Sequence, residues 1–175
     1  GVQTCALPIY WMREKEHPDV RAYLAAENVY TKAKTGHLQP LKTKLYEEMI
    51  ARVQQTDLSV PMRMGGFYYY HRTVEGKQYP IYCRKPASPD GSYDKGAQEQ
   101  VLLEQNEMAE GLTYLGFGDI EVSDNDNLYA YTTDVTGFRQ YTLHVKNLTT
   151  GAVQADLAER VTSVEWAADN RTLFY

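Results

Sequence analysis

The chain has 175 residues, with 23 acidic against 18 basic side chains and a formal net charge of −5, a balance that argues against a basic nucleic-acid binder. A hydrophobic fraction of 43% with 21 aromatics, 15 of them Tyr, supplies a packed core and excludes wholesale disorder, while the length leaves no room for more than two domains. No run approaches the ~20 apolar residues that a membrane-spanning helix needs, so no membrane partner is expected.

Charge is uneven along the chain. Residues 1–87 carry a balance of +5 and residues 88–175 one of −10, so the two halves are differently made. The two cysteines, Cys5 and Cys83, make neither a disulfide framework nor the paired spacing of a zinc site. A reducing, cytoplasmic compartment is the expectation.

The opening segment Gly1–Ile9, GVQTCALPI, back-translates into what resembles a sequencing-library adapter and is set aside from fold reasoning. From His17 to Gln55 apolar residues recur at helical spacing, Val20, Tyr23 and Leu24, then Leu38, Leu41, Leu45 and Met49, with Gly36 as a stop between them. The spacing predicts a helical hairpin occupying residues 10–55, with Pro18 and Pro40 in first helical turns where a missing amide hydrogen costs no internal bond.

After Asp57 the period shortens to two. Gly65-Gly66, FYYYHR, a VEGK turn and QYPIYCRK read as two aromatic antiparallel strands. PASPDGSYDKGAQ is a surface loop, and QVLLEQNEMAEG reads as a strand over Gln100–Leu103 followed by a turn, with a short helix as the alternative because Glu, Gln and Met favour helix. DIEVS, LYAYTTD, RQYTLHVKNL and AVQADL, separated by turn clusters, form a four-stranded meander.

The sharpest feature is an internal repeat. Val122–Tyr131 lies without gaps over Trp166–Tyr175, an offset of 44 residues. An offset of roughly 40 to 50 residues holding four strands is the footprint of a β-propeller blade. Residues 56–175 are therefore expected to be the first two to three blades of a truncated propeller, which cannot close by itself because a ring needs four or more.

YWMREKEHPDVRAYLAAENVYTKA, LKTKLYEEMIARVQQTDLSVP, GGFYYYHRTVEGKQYPIYCRK, DNLYAYTTDVTGFRQYTLHVKNLTTG and VEWAADNRTLFY together resemble the amino-terminal region of the prolyl oligopeptidase family of serine peptidases, and within it the oligopeptidase B branch. The resemblance runs from Tyr10 to Tyr175, with Met12 where the family pattern has Leu. It implies a mainly β fold led by a helical hairpin, belonging to a seven-bladed propeller followed by an α/β-hydrolase domain at the carboxyl side. It further implies that the whole protein hydrolyses short peptides after Arg or Lys while the propeller gates access. Prolyl or acylaminoacyl specificity on the same architecture, or a non-catalytic scaffold propeller, are the alternatives. Partners would be short peptides and the hydrolase domain of the same chain.

The catalytic Ser of such enzymes sits in a G-x-S-x-G elbow. None of Ser59, Ser88, Ser92, Ser123 and Ser163 has glycines two residues away on both sides. No catalytic, cofactor-binding or metal-ligating residue is assigned. His17, His37, His71 and His144 lack ligand spacing, and Asp124–Asn127 lacks the Gly and Glu of a calcium loop, so it reads as a turn. Cys83 is expected in the core, Gly65-Gly66 in a turn, and Tyr68, Tyr69, Tyr70, Tyr79 and Tyr82 in strand packing. Asn147 and Asn170 carry short glycosylation patterns that matter only in a secreted protein.

Overall fold

The computed structural model describes residues 10–154 and 158–175, so the adapter-like segment lies outside the described residues. The chain forms two compact units, one ending at Gln54 and the other starting at Gln55.

In the first unit a short 3-10 turn, Tyr10–Arg13, precedes helix α1 (Pro18–Thr35). His17 caps α1, its Nδ1 accepting from the Asp19 amide at 3.2 Å, and Pro18 fills the first turn as expected. Gly36 keeps right-handed helical dihedrals (φ −56°, ψ −33°). It therefore stops α1 by tightening the chain into a 3-10 turn, Gly36–Leu38, rather than by a left-handed cap. Helix α2 (Gln39–Ile50) follows at once with Pro40 near its start. Only Val20 is buried on α1, and Leu41, Leu45 and Met49 of α2 stay exposed. Among the described residues no helix is long and apolar enough to cross a membrane.

The second unit is a series of antiparallel sheets. The first has the order β1 (Met62–Met64), β2 (Phe67–Arg72), β3 (Ile81–Pro86), β4 (Gln100–Glu104). The second has the order β5 (Gly116–Val122), β6 (Leu128–Asp134), β7 (Thr142–Asn147), β8 (Ala158–Glu159). A third begins with β9 (Glu165–Trp166) and β10 (Leu173–Phe174). Each sheet is a chain-ordered meander, so two blades and the opening of a third are present.

Aromatic and β-branched alternation supplies the packing between sheets. Leu102, Leu103, Tyr129, Tyr131 and Leu148 form one buried cluster, with Tyr69, Tyr82 and Phe117 against it, between the first and second sheets. Ala130, Leu143, Val145, Val161 and Val164 form the next, with Trp166 and Leu173 against it, between the second and third. Tyr70, Ile81 and Cys83 cover the other face of the first sheet. Strands that expose alternate residues to two different cores are what stacked blades require.

The repeat is conformational as well as textual. Ser123 N–H donates to Leu128 O and Asp126 N–H to Ser123 O; 44 residues on, Ala167 N–H donates to Thr172 O and Asn170 N–H to Ala167 O. Val122 pairs with Tyr129 as Trp166 pairs with Leu173.

Three details differ from the expectation. Strand β1 is only three residues long, Met-Arg-Met, and all three are exposed, too short for its alternation to stand out, so pattern reading passes over it. The turn after β4 is a single helical turn, α3 (Gln105–Met108), capped by the Glu104 carboxylate on the Asn106 amide. The fourth meander strand, expected in AVQADL, pairs with β7 over its first residues, where Val153 bridges Lys146, Asn147 N–H donates to Ala152 O and Gln154 N–H to Val145 O; residues 155–157 lie outside the described residues, and the pairing with β7 continues past the expected segment in β8.

Candidate functional site

The polar groups of the second unit converge on the seams between sheets. At the first seam Arg84, on β3, is only 5% exposed. Its Nε donates to Gln100 Oε1 at 2.7 Å, and its Nη1 to Asp126 O at 2.7 Å and Tyr69 Oη at 3.1 Å. The guanidinium also lies 3.9 Å from the centre of the Phe67 ring. Such a fork needs several acceptors at fixed places. Two sheets supply them.

Tyr69 passes the contact on, donating to Asp126 Oδ1 at 2.9 Å, while Asp126 Oδ2 accepts from the Gly66 amide at 3.0 Å. Burial pushes the Tyr69 hydroxyl up to about 12, against the lowering influence of Arg84, so it stays a donor. Gln100 Nε2 donates to Leu148 O at 2.8 Å and Lys146 Nζ to Leu102 O at 2.6 Å, both across the same seam. Burial lowers the Lys146 pKa. A cavity of about 320 Å³ lies along this seam, lined by Met62, Tyr69, Tyr82, Ile120, Val122 and Tyr129 among others.

At the second seam a bulge between Phe117 and Ile120 re-aims Asp119. Asp119 N–H donates to Thr132 Oγ1 at 2.8 Å, and its Oδ2 accepts from the Val164 amide at 2.9 Å. Gly118 leaves room for this: a Cβ there would stand 2.5 Å from Thr132 Oγ1. Trp166 Nε1 donates to Glu121 O, and Asn170 Oδ1 accepts from the Asn125 amide at 2.8 Å. Burial raises the Glu121 carboxyl, with the carboxylates of Glu165 and Asp119 adding to it. Glu121 and Glu165 hold the same place in the 44-residue repeat.

The residues weighed from sequence fall as follows. Cys83 is 1% exposed and its thiol is pushed up to about 12, chiefly by burial, which fits a core residue. His71 packs on Tyr82, and His144 stacks on Tyr131 with its Nε2 2.9 Å from Thr133 Oγ1. Ser59 Oγ accepts from the His71 amide, Ser92 Oγ donates to Asp90, and Ser123 Oγ donates to Asn125; all three hydroxyls serve turns or strand ends. Asn147 Oδ1 accepts from the Thr149 and Thr150 amides, so this asparagine builds its own turn. Among the described residues no group of three or more His, Cys, Asp or Glu is arranged to hold a metal ion.

Sequence reasoning missed Arg84 and the inter-sheet reach of Asp126 and Asn170. A strand arginine in PIYCRK gives no sign of burial. The repeat did carry a signal for the other two, because Asp126 and Asn170 occupy the same place in it.

Residues 4–175 match the family model described as the N-terminal β-propeller domain of prolyl oligopeptidase. The chain is 43% identical over 181 residues to dipeptidyl aminopeptidase BI of Pseudoxanthomonas mexicana, covering 95% of this chain and 25% of that protein. It is 34% identical over 169 residues to protease 2 of Moraxella lacunata, covering 95% and 24%. Among solved structures, oligopeptidase B from Leishmania major superposes with a TM-score of 0.71 at 29% identity, over 87% of this chain and 21% of that one. The chain thus spans about a quarter of the length of the relatives it matches.

Proposed function

The chain belongs to the prolyl oligopeptidase family, in the region of its N-terminal β-propeller, and on that premise we propose that it is the substrate-admitting part of a serine peptidase acting on short peptides. The observation that carries this reading is the pair of complete blades and the start of a third, joined by polar seams, in a chain matched along 95% of its length by a peptidase.

A ring of blades over a reacting serine admits an extended peptide and rejects a folded domain by size, so selectivity arises from exclusion. Bond cleavage itself, serine attack on the scissile carbonyl and hydrolysis of the acyl-enzyme, would belong to a hydrolase domain of the whole protein. The residues described here hold the blades in place. A cytoplasmic setting suits the buried free thiol of Cys83.

Cleavage after Arg or Lys is the first specificity we propose. It is supported by the likeness to oligopeptidase B and by the acidic second half, whose Glu121 and Glu165 stand at equivalent places on consecutive first strands. A second reading, release of dipeptides from a free amino terminus, is favoured by the 43% identity to a dipeptidyl aminopeptidase.

The test uses the full-length protein with two fluorogenic series. One carries Arg or Lys before the scissile bond and a blocked amino terminus; the other is a free-amino dipeptide series. Turnover of the blocked basic series supports the first reading, and turnover confined to free-amino substrates supports the second. No turnover of either, with no labelling by a serine-directed phosphonate, would leave a scaffold propeller and end the peptidase proposal.

A further inference from the structure

Two turns in equivalent places perform the same contact at consecutive seams. The turn joining the first and second strands of the second sheet places Asp126 at φ 60°, and the same turn of the third sheet places Asn170 at φ 56°. A left-handed backbone is uncommon outside glycine and is tolerated best by Asp and Asn. From that position each side chain reaches back to the sheet before it. Asp126 Oδ2 takes the Gly66 amide of the first sheet's leading turn, and Asn170 Oδ1 takes the Asn125 amide of the second sheet's leading turn.

The first seam is shaped to fit. Gly65 has φ +54°, and a Cβ placed there would lie 2.7 Å from Asp126 Oδ2, so any side chain at position 65 would push the carboxylate off its amide. The carboxylate also takes the Tyr69 hydroxyl, and Arg84 holds the carbonyl of the same residue. At the second seam the side-chain acceptor of Asn170 is a neutral amide oxygen, which takes the Asn125 amide. Hydrogen bonds to an ionised acceptor are roughly twice as strong as neutral ones.

We propose that the left-handed residue of each leading turn is a latch fastening its blade to the preceding one, and that the Asp126 latch is the tighter of the two. The blades then part seam by seam, with the first seam the last to open. This inference rests on the fold and not on the peptidase reading, so a catalytically inert protein would show it equally.

The test is hydrogen–deuterium exchange with residue-level fragmentation on the full-length protein and three variants. Asp126→Ala is expected to speed exchange at Gly66 and along Phe67–Tyr70 by roughly threefold to tenfold, with a smaller change at Asn125, whose turn is strained by Ala at a left-handed position. Asn170→Ala is expected to do the reverse. Tyr69→Phe, which spares the Gly66 contact, keeps the idea testable should Asp126→Ala fold poorly; it is expected to speed the first seam by a smaller factor. Equal acceleration of both seams in either alanine variant would mean general loosening and would overturn the latch. Wild-type exchange at Gly66 in Asp126→Ala would overturn it outright.

Discussion

Replacing Arg84 tests how much of the first seam is polar. The side chain makes three hydrogen bonds, at 2.7, 2.7 and 3.1 Å, and stacks on Phe67 at 3.9 Å. A hydrogen bond from a charged donor contributes about 1.5–3 kcal/mol, and a desolvated cation over a ring about 2 kcal/mol. These do not add, because the partners share one guanidinium and relax together. Removing the guanidinium leaves two neutral acceptors without their donor, Asp126 O and Gln100 Oε1, each at a cost of about 1–3 kcal/mol. Arg84→Ala should therefore cost about 2–5 kcal/mol, which is roughly thirtyfold or more in local opening. Arg84→Met keeps the volume but lacks every donor, and should recover less than half of that loss. Arg84→Lys keeps the charge but offers a compact head that cannot serve Gln100 and Asp126 together, so it should fall between wild type and Met. The assay is native-state hydrogen exchange on β3 and β4 in the full-length protein, which reads local opening without treating a multidomain chain as two-state. If Arg84→Met exchanged at the wild-type rate, the seam would be held by packing alone and the polar account would be wrong.

A second polar cluster sits on the opposite face of the first sheet, where Glu99 accepts from Tyr70 Oη at 2.6 Å and pairs with Arg72 at 3.0 Å. Burial alone would raise the Glu99 carboxyl, but Tyr70 and Arg72 together hold it below the ordinary glutamate range. A depressed folded-state pKa means stability that is present above the unfolded value and lost as pH falls through the folded one. Glu99→Gln should therefore lower the melting temperature at pH 7 and converge on wild type in acid; a constant gap across that range would contradict the assignment. Gly118→Ala would drive a methyl group to 2.5 Å from Thr132 Oγ1 and 2.9 Å from Tyr141 Cδ1, for a cost of roughly 1–3 kcal/mol. A thermal midpoint equal to wild type would show that the bulge can give way. Asp134 pins the loop after β6 by accepting from the Thr136 amide, the Thr136 hydroxyl and the Arg139 amide; Asp134→Ala should make the chain after Arg139 several times more sensitive to trypsin, and an unchanged digestion rate would count against that role.

Much of the architecture was legible because blade formation repeats a simple pattern. The 44-residue offset located two turns whose hydrogen bonds and positive φ values coincide, and the aromatic-rich runs FYYYHR and LYAYTTD marked β2 and β6. Short strands were less visible. β1 is three exposed residues and β8 is two, too short for a period-two pattern to stand out. The seam chemistry was the least legible. Asp126 was rightly read as a turn residue, yet its partners lie 57 and 60 residues earlier, and no local pattern reports a contact at that separation.

That backward reach bears on how the molecule is made. The Gly66 amide waits for a residue 60 positions later, and the Asn125 amide for one 45 positions later. On a ribosome each blade would emerge with its exposed turn unfinished and be completed only when the following blade arrives, so synthesis from the amino end would zip the ring in one direction. A pause in translation just before Asp126 would leave the first blade open for longest.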